Sequence, residues 1–108
     1  MAGYVLIAAR DPWEGGDSQQ VFELAGSLAA ARDEVTIYLT ENGVLAARAD
    51  GGECFLTPLL AAGVSVFADP FALEERGISR ERMVTGVVPA AIERLVDLLA
   101  QGRPALWY

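Results

Sequence analysis

Tyr4-Val5-Leu6-Ile7-Ala8-Ala9, followed by Arg10-Asp11-Pro12-Trp13-Glu14-Gly15-Gly16 and then by an amphipathic stretch, decides the fold class of this 108-residue chain. A short apolar run without polar alternation is how a strand buried on both faces of a parallel sheet reads. Pro12, Gly15 and Gly16 break the run, and Asp17 with Gln20 three residues later has the spacing of a capping box that opens a helix. Val21, Leu24, Ala25, Leu28 and Ala29 recur at the spacing that gives a helix one apolar stripe. A strand, a loop and a helix in that order begin a βαβ unit.

The pattern continues down the chain. Val35, Ile37 and Leu39 alternate with Thr36 and Tyr38, a β-branched and aromatic run that predicts a second strand, stopped at Asn42-Gly43. Val44 to Arg48 reads as one helical turn and Asp50-Gly51-Gly52 as a loop. Pro58 fits the first turn of the next helix and Gly63 the residue after its end. Val64 to Ala68 is the third strand, Asp69-Pro70 a loop, and a short helix ends at Arg76-Gly77. Val84 to Val88 is a candidate fourth strand interrupted by Gly86. Pro89 then starts a helix with Ile92, Leu95, Val96 and Leu99 on its stripe and Gly102 at its end. Ala105 to Tyr108 is the fifth strand, with Pro104 tolerable at its first position.

Alternation of this kind predicts one α/β domain over residues 1–108: a flavodoxin-like three-layer sandwich with a five-stranded, mainly parallel sheet in the order 2-1-3-4-5 and helices on both faces. Ligands of such sheets bind beyond the carboxyl ends of the strands, where the strand order reverses. For this order that crevice lies between strands one and three, so the loops Arg10–Gly16 and Asp69–Leu73 are the expected place for a site, with Glu41-Asn42-Gly43 nearby.

Composition narrows the chemistry. The chain is 53% apolar with 21% charged residues, and its apolar runs are far shorter than the roughly 20 residues a membrane span needs. It carries a net charge of −7 and no basic stripe with interleaved aromatics, so neither nucleic acid nor membrane is an expected partner. The start has no basic segment and no small-residue cleavage site, which gives a cytoplasmic expectation. There is no His and no Lys, which removes Ser-His and Cys-His activation, imidazole metal ligands and Schiff-base chemistry. No cofactor or metal is expected. Cys54 is the only cysteine, so it forms no internal disulfide. It is either a nucleophile activated by a helix N-terminus or an arginine, or a small apolar residue packed near Phe55 and Leu56.

Individual candidates have structural readings beside functional ones. Arg10 and Asp11 could orient a polar partner and Trp13 could anchor one; equally, Asp11-Pro12 shapes a turn, Arg10 sits in a surface ion pair and Trp13 packs at an edge. Gly15-Gly16 before a helix lacks the spacing of a nucleotide-binding loop. Asp69 and the Glu74-Glu75-Arg76 run could bind a cation or a partner; equally, Asp69 before Pro70 is an ordinary turn residue and such a run a solvated helix face. An acid/base set of Asp11, Glu14 and Asp69 would need carboxylates at matched spacing.

Thr40-Glu41-Asn42-Gly43-Val44-Leu45-Ala46-Ala47-Arg48, Leu59 to Val66, Ala68 to Ile78 and Leu98 to Tyr108, together with Arg10-Asp11-Pro12, resemble the DsrE/DsrF-like family over nearly the whole chain. The resemblance implies a five-stranded parallel sheet, homo- or hetero-oligomers, often trimers or hexamers, and a role as an accessory or carrier component of intracellular sulfur relay, with other sulfur-relay proteins as partners. In that family the persulfide-bearing cysteine lies in the loop after the third strand, before the Arg-Gly that corresponds to Arg76-Gly77. Here that stretch is Asp69-Pro70-Phe71-Ala72-Leu73, so Cys54 is the only thiol available as carrier. Arg10, Asp11, Trp13, Asn42, Arg48, Asp69, Phe71 and Arg76 form the candidate binding set. The alternative is a non-catalytic binding or scaffold subunit that carries no sulfur, suggested by the apolar Trp107-Tyr108 end on an edge strand.

Overall fold

A computed structural model describes residues 3–108. Five strands alternate with helices: β1 (Gly3–Ala8), α1 (Gln20–Ala30), β2 (Glu34–Leu39), a 3₁₀-helix (Glu41–Ala47), α2 (Ala49–Ala61), β3 (Ser65–Ala68), α3 (Pro70–Glu75), a 3₁₀ turn (Arg80–Arg82), β4 (Val88–Pro89), α4 (Ile92–Ala100) and β5 (Ala105–Trp107). Every pairing is parallel. The α/β expectation therefore holds, with helices on both faces.

The strand order is 4-3-2-1-5, which corrects 2-1-3-4-5. β3 does not cross over β1; it continues outward from β2, and β5 takes the free edge of β1. Burial explains the choice. All of β2 after Glu34 is buried, including Thr36 and Tyr38, as a strand flanked on both sides requires, whereas Ala105, Leu106 and Trp107 of β5 are all exposed.

Right-handed crossovers that step in one direction put their helices on one face, and a reversed step puts the helix on the other. Leu6, Ile37 and Val66 accordingly pack with Val21, Ala25, Leu59 and Leu73 from α1, α2 and α3. Val5, Ile7 and Tyr38 face the other way and meet Leu95 and Leu98 of α4. Each fully buried Val, Leu or Ile among them contributes about 1.5–3 kcal/mol of transfer free energy. The reversal moves the strand-end crevice from strands one and three to β3 and β4, whose following helices lie on opposite faces.

Local readings shift as well. Asp17 does not cap α1: Gln20 Nε2 donates to Asp17 Oδ1 at 3.3 Å within a turn, and the helix starts at Gln20 without a side-chain cap. Pro58 lies inside α2, not in its first turn, because the helix begins earlier across a kink at Asp50 and Gly51. Val84 to Val87 precede the short β4 instead of forming it. Val84 N–H donates to Ala47 O at 2.8 Å, which takes this segment away from the sheet, and only Val88 and Pro89 pair with β3. Pro89 thus closes an edge strand, and α4 starts at Ile92.

Gly43 lets the 3₁₀-helix cross the end of β1. A side chain at this position would overlap the Ala8 carbonyl oxygen, which is already bonded to Thr40 N–H. At the other edge Tyr108 N–H donates to Ile7 O and Ala9 N–H to Tyr108 O, both at 2.8 Å, so the last residue is stitched to β1.

Candidate functional site

The loop after β1 is built from internal bonds. Pro12 is buried, and its carbonyl accepts from Ser18 Oγ at 3.1 Å and Gln19 Nε2 at 2.9 Å. Asp11 Oδ1 accepts from Trp13 N–H at 2.9 Å, closing a turn. Arg10 pairs with Glu14 at 3.0 Å, an exposed i,i+4 pair of small energetic weight. Trp13 leans edge-on against Phe55, centroids 5.2 Å apart, and Phe55 stacks on Phe22 at the same separation. The Arg48 guanidinium lies over the outer ring of this cluster, 5.8 Å from the Trp13 centroid.

Asp69 is equally occupied. Its Oδ1 accepts from Phe71 N–H at 3.0 Å as the N-cap of α3, and its Oδ2 from Thr40 Oγ1 at 3.2 Å. Phe71 itself points out, 68% exposed. The carboxylates of Asp11, Glu14 and Asp69 each have partners of their own, and among the described residues no interaction joins them into an acid/base set.

Arg48 and Arg76 come together. They line a cavity of about 440 Å³ with Asp50, Ile78, Glu81 and Arg82, formed by the segments that follow β2 and β3. Arg76 is fixed by Asn42 Oδ1 and by Ala72 O, the latter at 3.1 Å from Nη1. Arg82 has no hydrogen-bond or ion-pair partner among the described residues. Arg48 Nε is shut off from solvent without a hydrogen bond, its nearest acid being Asp50 Oδ1 at 3.8 Å. The Glu81 carboxyl is held below the usual carboxylate range by hydrogen bonds from its own backbone N–H and from Ser79, which directs it to the backbone. An antiparallel bridge between Arg48 and Met83 ties the walls together.

Sequence reasoning had Asn42, Arg48 and Arg76 but missed Arg82 and its neighbour Arg80. Arg80 lies beside an adjoining, mostly apolar cavity of about 500 Å³ with Pro70, Leu73, Ile78, Met83 and Pro89. This second cavity sits at the β3/β4 crevice and shares Gly77 and Ile78 with the first. The available signal was density: Arg76, Arg80 and Arg82 are three of only eight basic residues, within seven positions.

Cys54 is exposed, and its thiol donates to Gly51 O at 3.0 Å. It stands near the kink of α2, where Gly51 has φ +126° and a Cβ would press on the Trp13 ring at 3.2 Å. The shallow groove beside it, about 250 Å³, runs between α1 and α2 along Gln19, Phe22 and Pro58. Cys54 therefore lines a different groove from the arginine cleft, and the two share no residue. The apolar-packing alternative for its side chain is not what the structure shows.

Fold and site together define a small parallel α/β protein with an arginine-lined cleft at the carboxyl edge of its sheet. The chain is similar in structure to the ychN protein from E. coli, at TM-score 0.90 and 21% identity with both chains covered in full. It is similar also to MTH1491 from Methanobacterium thermoautotrophicum, a protein of unknown function (TM-score 0.80, 16% identity, 100% of both chains). BT1422 from Bacteroides thetaiotaomicron, a conserved protein of unknown function, matches at TM-score 0.81 and 16% identity over 98% of this chain and 94% of its own. No family model and no curated protein matches the sequence. No helix among the described residues is long and apolar enough to cross a membrane.

Proposed function

We propose that this chain is an accessory component of intracellular sulfur relay, of the DsrE/DsrF-like kind, with Cys54 as its sulfur-carrying residue. The observation that carries the reading is the exposure of the Cys54 thiol at the kinked start of α2. The loop after β3 offers no alternative, since it has no thiol and Asp69 is spent on capping α3. In the step proposed, the Cys54 sulfur swings away from the Gly51 carbonyl, loses its proton to solvent and attacks the outer sulfur of a donor persulfide. The donor leaves as a thiolate, and Cys54 becomes the persulfide. Intact-mass spectrometry after incubation with a persulfide donor tests this: the chain gains the mass of one sulfur atom, and Cys54→Ser does not.

A second reading, a self-associating scaffold that carries no sulfur, is favoured by α4. Leu95 and Leu98 are buried against the sheet, yet Ile92, Val96 and Leu99 form a further apolar stripe that is exposed. Arg94 lies over Phe67 of β3, 5.0 Å from its ring. The stripe is about half a turn round the helix from Arg94 and so flanks the β5 side. There Trp107, 65% exposed, is in register with Ile7. Exposed apolar side chains on α4 and β5 suit a second copy of the chain, and trimers or hexamers are the assemblies we propose.

A further inference from the structure

We propose that the arginine-lined cleft is a binding site for a small organic oxyanion, a phosphate or sulfonate ester, with its charged head on Arg48, Arg76 and Arg82 and its apolar part along Ile78 toward Met83 and Pro89. Three of eight arginines converge here in a chain of net charge −7, so the positive character is local and not a property of the whole surface. The three side chains are prepared to different degrees. Arg76 is held in place by Asn42 and Ala72 O, which removes the ordering cost that a long side chain otherwise imposes on binding. Arg82 keeps all its donors free among the described residues.

Arg48 makes the strongest case. Its Nε is shut off from solvent and has no acceptor among the described residues, while the side chain as a whole is 42% exposed. The Trp13 ring on one side of the guanidinium offsets only part of its charge, and an anion on its outer nitrogens supplies the hydrogen bonds that a ring cannot. The two acids of the wall do not fill that role. Asp50 is 84% exposed and beyond hydrogen-bond distance, and no hydrogen bond or ion pair joins Glu81 to Arg48 among the described residues.

The adjoining cavity sets the ligand class. Inorganic phosphate is far smaller than 440 Å³, whereas the shared wall at Gly77 and Ile78 opens onto the apolar surface of Leu73, Met83 and Pro89. An oxyanion carrying an apolar group uses both. The cleft is separate from Cys54, so this assignment stands or falls apart from the sulfur reading.

Titration calorimetry of the full chain with phenyl phosphate, inorganic phosphate, benzenesulfonate and phenol tests the proposal. The expected result is saturable binding of the phenyl oxyanions, tighter than inorganic phosphate, with none for phenol. Arg48→Gln and Arg82→Gln each weaken it about tenfold, the value of one charge-assisted hydrogen bond. Arg82 has no partner to lose, so that variant keeps the fold whatever happens at Arg48. Comparing phosphate with sulfonate identifies the preferred head group. Absence of saturable binding, equal binding by the Arg82→Gln variant, or phenol binding as tightly as its phosphate would overturn the assignment.

Discussion

Arg76 reaches back 34 residues to place both Nε and Nη2 on one acceptor, Asn42 Oδ1, at 3.1 and 2.9 Å. The contact joins the end of α3 to the 3₁₀-helix that crosses the carboxyl end of β1. It is the brace that holds one arginine of the cleft in position.

Asn42→Ala removes the acceptor and frees the Arg76 guanidinium. A loss of about 1 kcal/mol in unfolding free energy is expected, since both groups regain water when the bond is absent. Urea denaturation of the two proteins measures it, with an unchanged slope if the folded and unfolded states keep their compactness.

Gly43→Ala has a larger effect. The added methyl group meets the Ala8 carbonyl oxygen, part of a backbone bond that joins β1 to the start of the 3₁₀-helix, and backbone cannot move aside as a flexible side chain can. A destabilisation of about 3 kcal/mol or more is expected, read by thermal or chemical unfolding.

Tyr38 is buried and donates its hydroxyl to Ala90 O at 3.0 Å. Burial first, then the negative charges of Asp69 and Glu93, push its pKa up from 10.0 to about 12. Below pH 10 the phenol is neutral in both the folded and unfolded states, and its contribution is complete. Between these two values the unfolded chain releases the proton and the folded one keeps it. Stability therefore falls as pH rises, by at most about 1.4 kcal/mol per pH unit from this group. In Tyr38→Phe that part of the alkaline fall is absent, and the neutral-pH stability drops by about 1 kcal/mol from the orphaned Ala90 carbonyl. Unfolding curves across the alkaline range compare the two.

Val96→Glu places a charge in the middle of the exposed stripe of α4. If two copies meet there, sedimentation velocity shows the wild-type chain as an oligomer at micromolar concentration and the variant as a monomer with unchanged circular dichroism. A wild-type chain that is monomeric under these conditions removes the scaffold reading.

Much of the architecture was legible because its signals are local. The apolar run at Tyr4–Ala9 and the β-branched run at Val35–Leu39 form the strands their spacing specifies, although β2 is buried on both faces and not on one. The stripe expected on the last helix is corrected: only Leu95 of that set packs on the sheet, joined by Leu98, while Ile92, Val96 and Leu99 are exposed. Strand order was not, since it depends on which edge of β1 receives β5, a contact between residues 5–7 and 105–107. Pro58 misled for a related reason: packing of Leu56 and Leu59 into the core carries α2 through a proline that local rules place at a helix start. At the site, Asn42, Arg48 and Arg76 came from the loops that sheet topology and the family resemblance picked out. Arg82 carries no motif and joins them where Met83 bridges to Arg48 and Val84 is bonded to Ala47, contacts distant in sequence. Asp69 and Asp11 hold backbone amides, which single-residue chemistry does not distinguish from holding a ligand.

Sulfur loading of Cys54 is the claim on which the functional reading turns. Intact-mass spectrometry of the whole chain after exposure to a persulfide donor is the direct measurement, with reductant as the reversal control. One added sulfur atom is expected, removed by dithiothreitol and absent in Cys54→Ser. An unchanged mass for the wild-type chain would contradict it.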